Sequence, residues 1–175
     1  MNFLLHLPLA TRHLLLAASI LLLTACGYHL RGQSDLSFHT LYLQNGNSTA
    51  IARNLRRLLK ANDITVVDNP ELAEMQLELM NEGSTQQIIS LSGGGKVSEY
   101  SVQYHITFRT RPTSTDLWGA PQTIDQQREY TYDNSLLLAK VGEAERLNLD
   151  MRADSAREIM RRLSAQNPGK PSAAN

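Results

Sequence analysis

Apolar residues recur at every second position in two long runs of this chain, and that rhythm sets its architecture. Met75, Leu77 and Leu79 alternate with Gln76, Glu78 and Met80, and further on Val102, Tyr104, Ile106 and Phe108 alternate with Ser101, Gln103, His105, Thr107 and Arg109. A period of two sends one set into a core and leaves the other in water, so each run predicts a strand with one wet face. Ser92-Gly93-Gly94-Gly95-Lys96 lies between them and reads as a flexible hairpin loop. After a loop over Arg111–Asp116, Thr123 to Tyr132 predicts a last strand with Ile124, Tyr130 and Tyr132 in register. Upstream, Phe38–Leu43 and the short run Ile64–Val67 predict two further strands, and Asn45-Gly46-Asn47 is turn chemistry.

The rhythm becomes helical in two places. Thr49 to Ala61 carries Ile51, Leu55, Leu58 and Leu59 on one side, with Asn47 or Ser48 expected to cap it. A longer helix is expected from about Leu136 to Ser164 after the capping run Asp133-Asn134-Ser135, its stripe formed by Leu149, Ala153, Ala156, Met160 and Leu163. Gly142 weakens its first turns by roughly 1 kcal/mol relative to alanine, so a bend or break is expected there. One-sided strands need cover, and two amphipathic helices supply it. The expected fold is therefore α+β: a two-layer sandwich with two helices packed on one face of a mixed, mostly antiparallel sheet of about four strands. The other sheet face, polar and uncovered, would be free to meet something.

The residues ahead of this domain change the picture. Arg12, the apolar stretch Leu14–Leu23 and the small residues Thr24-Ala25 read as a secretory signal over residues 1–25. The apolar stretch falls short of the roughly 20 residues that span a bilayer. Leu23-Thr24-Ala25-Cys26 resembles the lipobox of bacterial lipoproteins, in which the cysteine thiol receives diacylglycerol and the freed amino group is acylated. The expected organisation is a cleaved signal (1–25), a lipidated tether (26–37), one domain (38–165) and a disordered tail (166–175). Cys26 is the only cysteine, so no disulfide restrains the fold.

Charge and candidate chemistry narrow the function. Basic and acidic residues number 17 each, which argues against a general nucleic-acid partner. His29, His39 and His105 have no acidic neighbour in sequence that would make one of them a base, and no histidine or cysteine pairs stand at metal-binding spacing. Gly93-Gly94-Gly95-Lys96 fails as a phosphate loop: Ser90 stands where the first glycine is required, Val97 follows the lysine, and a strand follows in place of a helix. No serine sits in a nucleophile elbow. Neither an enzyme nor a cofactor is expected. Two basic features remain. Arg53, Arg56, Arg57 and Lys60 line the polar side of the first helix, either as a solvated face or as a surface for phosphates or an acidic partner. Lys96 in the glycine loop and Lys140 at the start of the long helix form the second. An anchored scaffold binding cell wall or another envelope protein is one reading of these features.

Cys26-Gly27-Tyr28-His29-Leu30-Arg31 resembles the opening of the LPS-assembly lipoprotein family LptE (RlpB). Ala52-Arg53-Asn54-Leu55-Arg56-Arg57, Ser98-Glu99-Tyr100, Tyr132-Asp133-Asn134 and Leu138-Ala139-Lys140 continue the likeness in order across the domain. The resemblance implies an outer-membrane lipoprotein held by an N-acyl diacylglyceryl cysteine. It would plug and help assemble the β-barrel LptD and bind lipopolysaccharide (LPS) during insertion in the outer leaflet. Gly27 after the cysteine agrees, because aspartate there is the usual signal to stay in the inner membrane. The resemblance assigns LPS contact to Lys140 and to a basic residue of the hairpin loop; Gly93 stands at that loop position here, and Lys96 is the nearest cation.

Overall fold

A computed structural model describes residues 36–133, 135 and 137–166, with the side chains of 137–139 excepted. The expected signal, the tether up to residue 35, Cys26 and the tail from 167 lie outside the described residues. The elements follow in order: β1 (Thr40–Gln44), α1 (Ala52–Ala61), β2 (Thr65–Val67), a 3-10 turn (Pro70–Leu72), β3 (Met75–Leu91), β4 (Val97–Pro112), β5 (Gln122–Thr131) and α2 (Leu137–Ala165). The sheet runs β2-β1-β3-β4-β5. β1 is parallel to both neighbours, and β4 is antiparallel to both β3 and β5. The α+β sandwich is as expected, and the three-residue edge strand β2 brings the sheet to five.

Both helices cover one face. Val102, Tyr104, Ile106 and Phe108 are buried there with Leu41, Leu43, Leu77 and Leu79, beneath Ile51, Leu55 and Leu59 of the first helix region and Met151, Ala156, Ile159, Met160 and Leu163 of α2. The alternation in β4 is thus the expected one. Three details differ from the sequence reading. α1 begins at Ala52 with no side-chain cap; instead Glu82 of β3 accepts the backbone N–H groups of Ala50 (2.7 Å) and Ile51 (3.4 Å). A carboxylate 31 positions away does the work assigned to Asn47 or Ser48. α2 runs unbroken through Gly142, and its buried side is Ala144, Met151, Ser155, Ala156, Ile159, Met160 and Leu163; Leu149 is 52% exposed. Ala156, Met160 and Leu163 of the expected stripe are buried, while Met151, Ser155 and Ile159 fill the core in place of Leu149 and Ala153.

The third difference lies in β3. Its register against β4 shifts between Leu79 and Asn81, the mark of a bulge at Met80. Leu77 and Leu79 face the core before the bulge. After it Glu82, Ser84 and Gln86 share the helix-side face, opposite Ile106, Tyr104 and Val102. One extra residue therefore exchanges the faces of the strand.

The far face of the sheet is polar, as expected, with Thr107 and Thr123 hydroxyls 3.0 Å apart across β4 and β5. It is not bare along its whole length. The 113–121 loop folds back so that Trp118 lies 4.7 Å from the Arg109 guanidinium and 4.9 Å from that of Arg111. Gln76, expected to face water, is 4% exposed beneath this cover and accepts a hydrogen bond from Arg111. An arginine loses little by stacking on an indole, and that attraction holds the loop down.

Candidate functional site

β3 and β4 project as a hairpin beyond the end of β1, which pairs with β3 only as far as Glu78. Its turn is closed by Ser92 N–H on the Lys96 carbonyl (2.7 Å) and Gly95 N–H on the Ser92 carbonyl (2.8 Å). Gly95 sits at φ 73, a left-handed conformation that favours glycine. Ile88, Ile89 and Leu91 are exposed on the outgoing strand, and Lys96 is exposed at the turn.

Three tyrosines stand at the same end. Tyr100 stacks on Tyr130 with centroids 5.7 Å apart and meets Tyr132 edge-on at 5.1 Å. Gln86 donates to the Tyr130 hydroxyl (3.1 Å), and the Tyr132 N–H to the Ser98 carbonyl (2.8 Å). Burial, then the neighbouring Tyr100 and Glu143, push the Tyr130 phenol above its ordinary range. The chain then enters α2. Asp133 accepts hydrogen bonds from the Ser135 hydroxyl (2.7 Å) and N–H (2.9 Å), which hold its carboxyl below the ordinary carboxylate range, with a smaller pull from Lys140. Lys140 pairs with Glu143 at 2.7 Å and is 16% exposed.

Lys96 and Lys140 thus occupy elements of one end: the hairpin turn, and the helix that starts shortly after β5 ends against Glu99 of β4. Around them are exposed apolar side chains and phenols. Such an end can meet an amphiphilic anion, its charge on the ammonium groups and its hydrocarbon against Ile88, Ile89 and Leu91.

The four cations of α1 lie elsewhere. Arg53, Arg57 and Lys60 are exposed and Arg56 is half-buried; Arg57 is held by Asn54. Among the described residues no carboxylate pairs with any of them. Arg56 and Lys60 line a groove of about 340 Å³ with Ile64, Thr65 and Val66, beside the open edge of β2. The chain supplies two separate basic surfaces.

Sequence reasoning missed a third feature, a groove of about 500 Å³ between the 45–50 segment, β3 after its bulge, and Arg152 of α2. Glu82 is its hub. One carboxylate oxygen caps α1, and the other accepts from the Tyr104 hydroxyl (2.8 Å) and Arg152 Nε (3.2 Å). Only the glutamate in an otherwise uncharged stretch hinted at it. Burial and the Glu82 charge push the Tyr104 phenol far above its ordinary range, with Arg152 pulling the other way. These groups satisfy one another, so the groove reads as a structural joint. Among the described residues no group of three or more His, Cys, Asp or Glu side chains could hold a metal ion, and no helix is long and apolar enough to cross a membrane.

Residues 38–163 match the family model LptE, described as lipopolysaccharide-assembly. An LPS-assembly lipoprotein LptE from Yersinia enterocolitica is 28% identical over 155 residues, covering 86% of this chain and 73% of its own length. The solution structure of an uncharacterized lipoprotein B from Nitrosomonas europaea is similar with a TM-score of 0.68 at 30% identity, over 79% of this chain and 91% of that one. The crystal structure of the rare lipoprotein B from Shewanella oneidensis gives 0.64 at 26% identity, over 72% and 94%. With the family model spanning nearly the whole sandwich, this chain belongs to the LPS-assembly lipoprotein family LptE.

Proposed function

We propose that this protein is a non-catalytic subunit of the outer-membrane LPS translocon, which plugs the β-barrel LptD, helps it assemble, and binds LPS at the hairpin end. Membership of the LPS-assembly family carries the general role. The observation that supports LPS contact is the shared end of Lys96 and Lys140, with exposed Ile88, Ile89 and Leu91 beside them. Lipid A is an amphiphile with phosphates, and that end offers ammonium groups and apolar side chains together. A domain with a continuous core suits a plug, whose task is to fill and brace. The N-acyl diacylglyceryl group on Cys26 would hold it on the outer membrane; one acyl chain binds only weakly, and three hold firmly.

Extraction in mild detergent followed by copurification tests this. LptD, identified by mass, is expected in roughly equal amount. Recovery of the protein with cell wall or another envelope protein, and without the barrel, would favour the scaffold reading. Cys26→Ala is expected to leave an uncleaved or soluble form. Normal cleavage and outer-membrane recovery of that variant would end the lipoprotein reading.

A further inference from the structure

Four cations and no carboxylate set α1 apart from the other helix of this chain. Arg53, Arg56, Arg57 and Lys60 stand in a helix of 10 residues that has no Asp or Glu. In α2, by contrast, Lys140 pairs with Glu143, Arg157 with Asp154, and Arg161 and Arg162 with Glu158, each within about one turn. A solvated helix face ordinarily interleaves the two signs in that way. Asp and Glu together number 17 in the chain, yet among the described residues none pairs with a cation of α1. The pattern works against the helix. Arg53 and Arg57 are like charges four positions apart, as are Arg56 and Lys60, and such pairs repel. Arg53 stands near the positive end of the helix dipole, in a first turn without an acidic residue. Glu82, which caps the helix, holds Tyr104 and Arg152 with its other oxygen. Folding alone gives no reason for such a face, and a partner of opposite charge does.

The chemistry of the face narrows that partner. Arg53, Arg57 and Lys60 are exposed, and the Asn54 side chain steadies Arg57. Arg56 and Lys60 border the groove of about 340 Å³ that Ile64, Thr65 and Val66 complete. Three of the four cations are arginines, whose planar forks hold carboxylates by two parallel hydrogen bonds. Ile64 is buried and Leu58 half-buried, so no large apolar side chain stands exposed on α1 or beside it. Acyl chains would find no cover here, as they do against Ile88, Ile89 and Leu91 at the hairpin. The face therefore fits carboxylates on a polar wall better than the phosphates of a lipid.

We infer that this face of α1 docks on a row of Asp and Glu side chains that line the lumen of the barrel. The inference rests on the plug reading, and adds which side of the domain meets the wall and by what chemistry. Lumen-facing side chains of a barrel are polar and alternate with outward-facing ones along each strand. Two successive lumen-facing residues on one strand therefore stand about 6.6 Å apart. Cations four apart on the helix rise about 6 Å. The repeats are close enough for Arg53 with Arg57, or Arg56 with Lys60, to meet successive carboxylates of one strand, their long side chains taking up the difference. Lys96 and Lys140 belong to other elements, so docking through α1 leaves them to LPS.

Two measurements test this on the full-length lipidated protein produced together with LptD. The first uses the double variant Arg53→Glu/Arg57→Glu. Each new carboxylate stands three positions before a cation, Arg56 or Lys60, and the first also suits the helix dipole. Alone, the variant is expected to melt at the parent's temperature or above it. With LptD it is expected to copurify severalfold less, because carboxylates now face carboxylates. The second places a benzophenone photo-crosslinker at the position of Arg57 in an otherwise unaltered chain. The expected adduct joins LptD at a barrel strand that carries Asp or Glu. Equal recovery of LptD by variant and parent would overturn the inference. Adducts to LPS in place of the barrel would overturn it too, and would give α1 to phosphates. Should the variant melt lower than the parent, the adduct alone decides. A parent chain that recovers no LptD would instead sink the plug reading itself.

Discussion

The Tyr104 hydroxyl donates a 2.8 Å hydrogen bond to Glu82, and this contact joins the two long strands at the point where the helices converge on them. The same carboxylate receives Arg152 from α2 and caps α1, so one glutamate binds four elements. Its pair with Arg152 is mostly shielded from water, and removing one partner of a shielded pair costs more than the pair contributes. Glu82→Ala is expected to destabilise the domain by about 3 kcal/mol, adding a lost cap to an unpaired guanidinium. Urea denaturation reads the loss. A change under about 0.5 kcal/mol, the range of ordinary surface substitutions, would show that the hub is dispensable.

Tyr104 also sets a limit on the alkaline side. Its phenol is raised above the ordinary value of 10.0 by burial and by Glu82. The folded protein therefore keeps this proton where the unfolded chain releases it. The stabilisation is complete below about pH 10 and declines as pH rises further. Tyr130, raised for similar reasons, adds to the decline. Tyr104→Phe should lose about 1 kcal/mol at neutral pH with its hydrogen bond, yet show a shallower fall of stability between pH 10 and 11.5. Parallel slopes for the two proteins would assign the decline to other groups.

Phe108 and Leu149 separate what periodicity could and could not tell. The period of two in β4 admits a single assignment of faces, and Phe108 is fully buried as expected. A helix of 29 residues admits neighbouring stripes of similar spacing, and the expected one holds at Ala156, Met160 and Leu163 but fails at Leu149, where Met151 takes the core. Phe108→Ala should cost about 3–5 kcal/mol, and Leu149→Ala less than about 0.5. Comparable losses from the two would reverse this assignment.

Other features were beyond the reach of local pattern for a physical reason. The Glu82 cap, the Trp118 cover and the shared end of Lys96 and Lys140 each depend on residues far apart in sequence, brought together by strand register. The bulge at Met80 is one extra residue with no turn residue to mark it, yet it decides that Glu82 and not Asn81 faces the helices. Gly83 shows the same dependence on register. A Cβ there would meet the His105 ring at 2.4 Å, because the two residues pair across the strands. Gly83→Ala should therefore destabilise the domain, and His105→Ala in the same chain should recover part of the loss in a double-mutant cycle. Simple additivity would place the ring elsewhere.

The lysines carry the proposed LPS contact, and their surroundings predict unequal effects. Lys140 is fixed on the helix and already paired with Glu143 at 2.7 Å, whereas Lys96 projects from a glycine turn. A phosphate at Lys140 must displace or share that carboxylate. Losing a charge-assisted contact costs about 1.5–3 kcal/mol, which is up to roughly a hundredfold in affinity. Lys140→Asp should weaken LPS binding by an amount within that range and leave barrel association unchanged. Lys96→Asp should have a smaller effect, since an exposed, unpaired lysine side chain loses more rotamer freedom when it binds. Glu143→Gln should act in the opposite direction and tighten binding by a fewfold, because it frees the ammonium without removing it. Equilibrium binding of purified LPS to the three variants decides between the readings. If Lys140→Asp binds as the parent does, or Glu143→Gln weakens binding, the Lys140–Glu143 pair is a brace for the first turns of α2, and the ligand's phosphates are held by other residues.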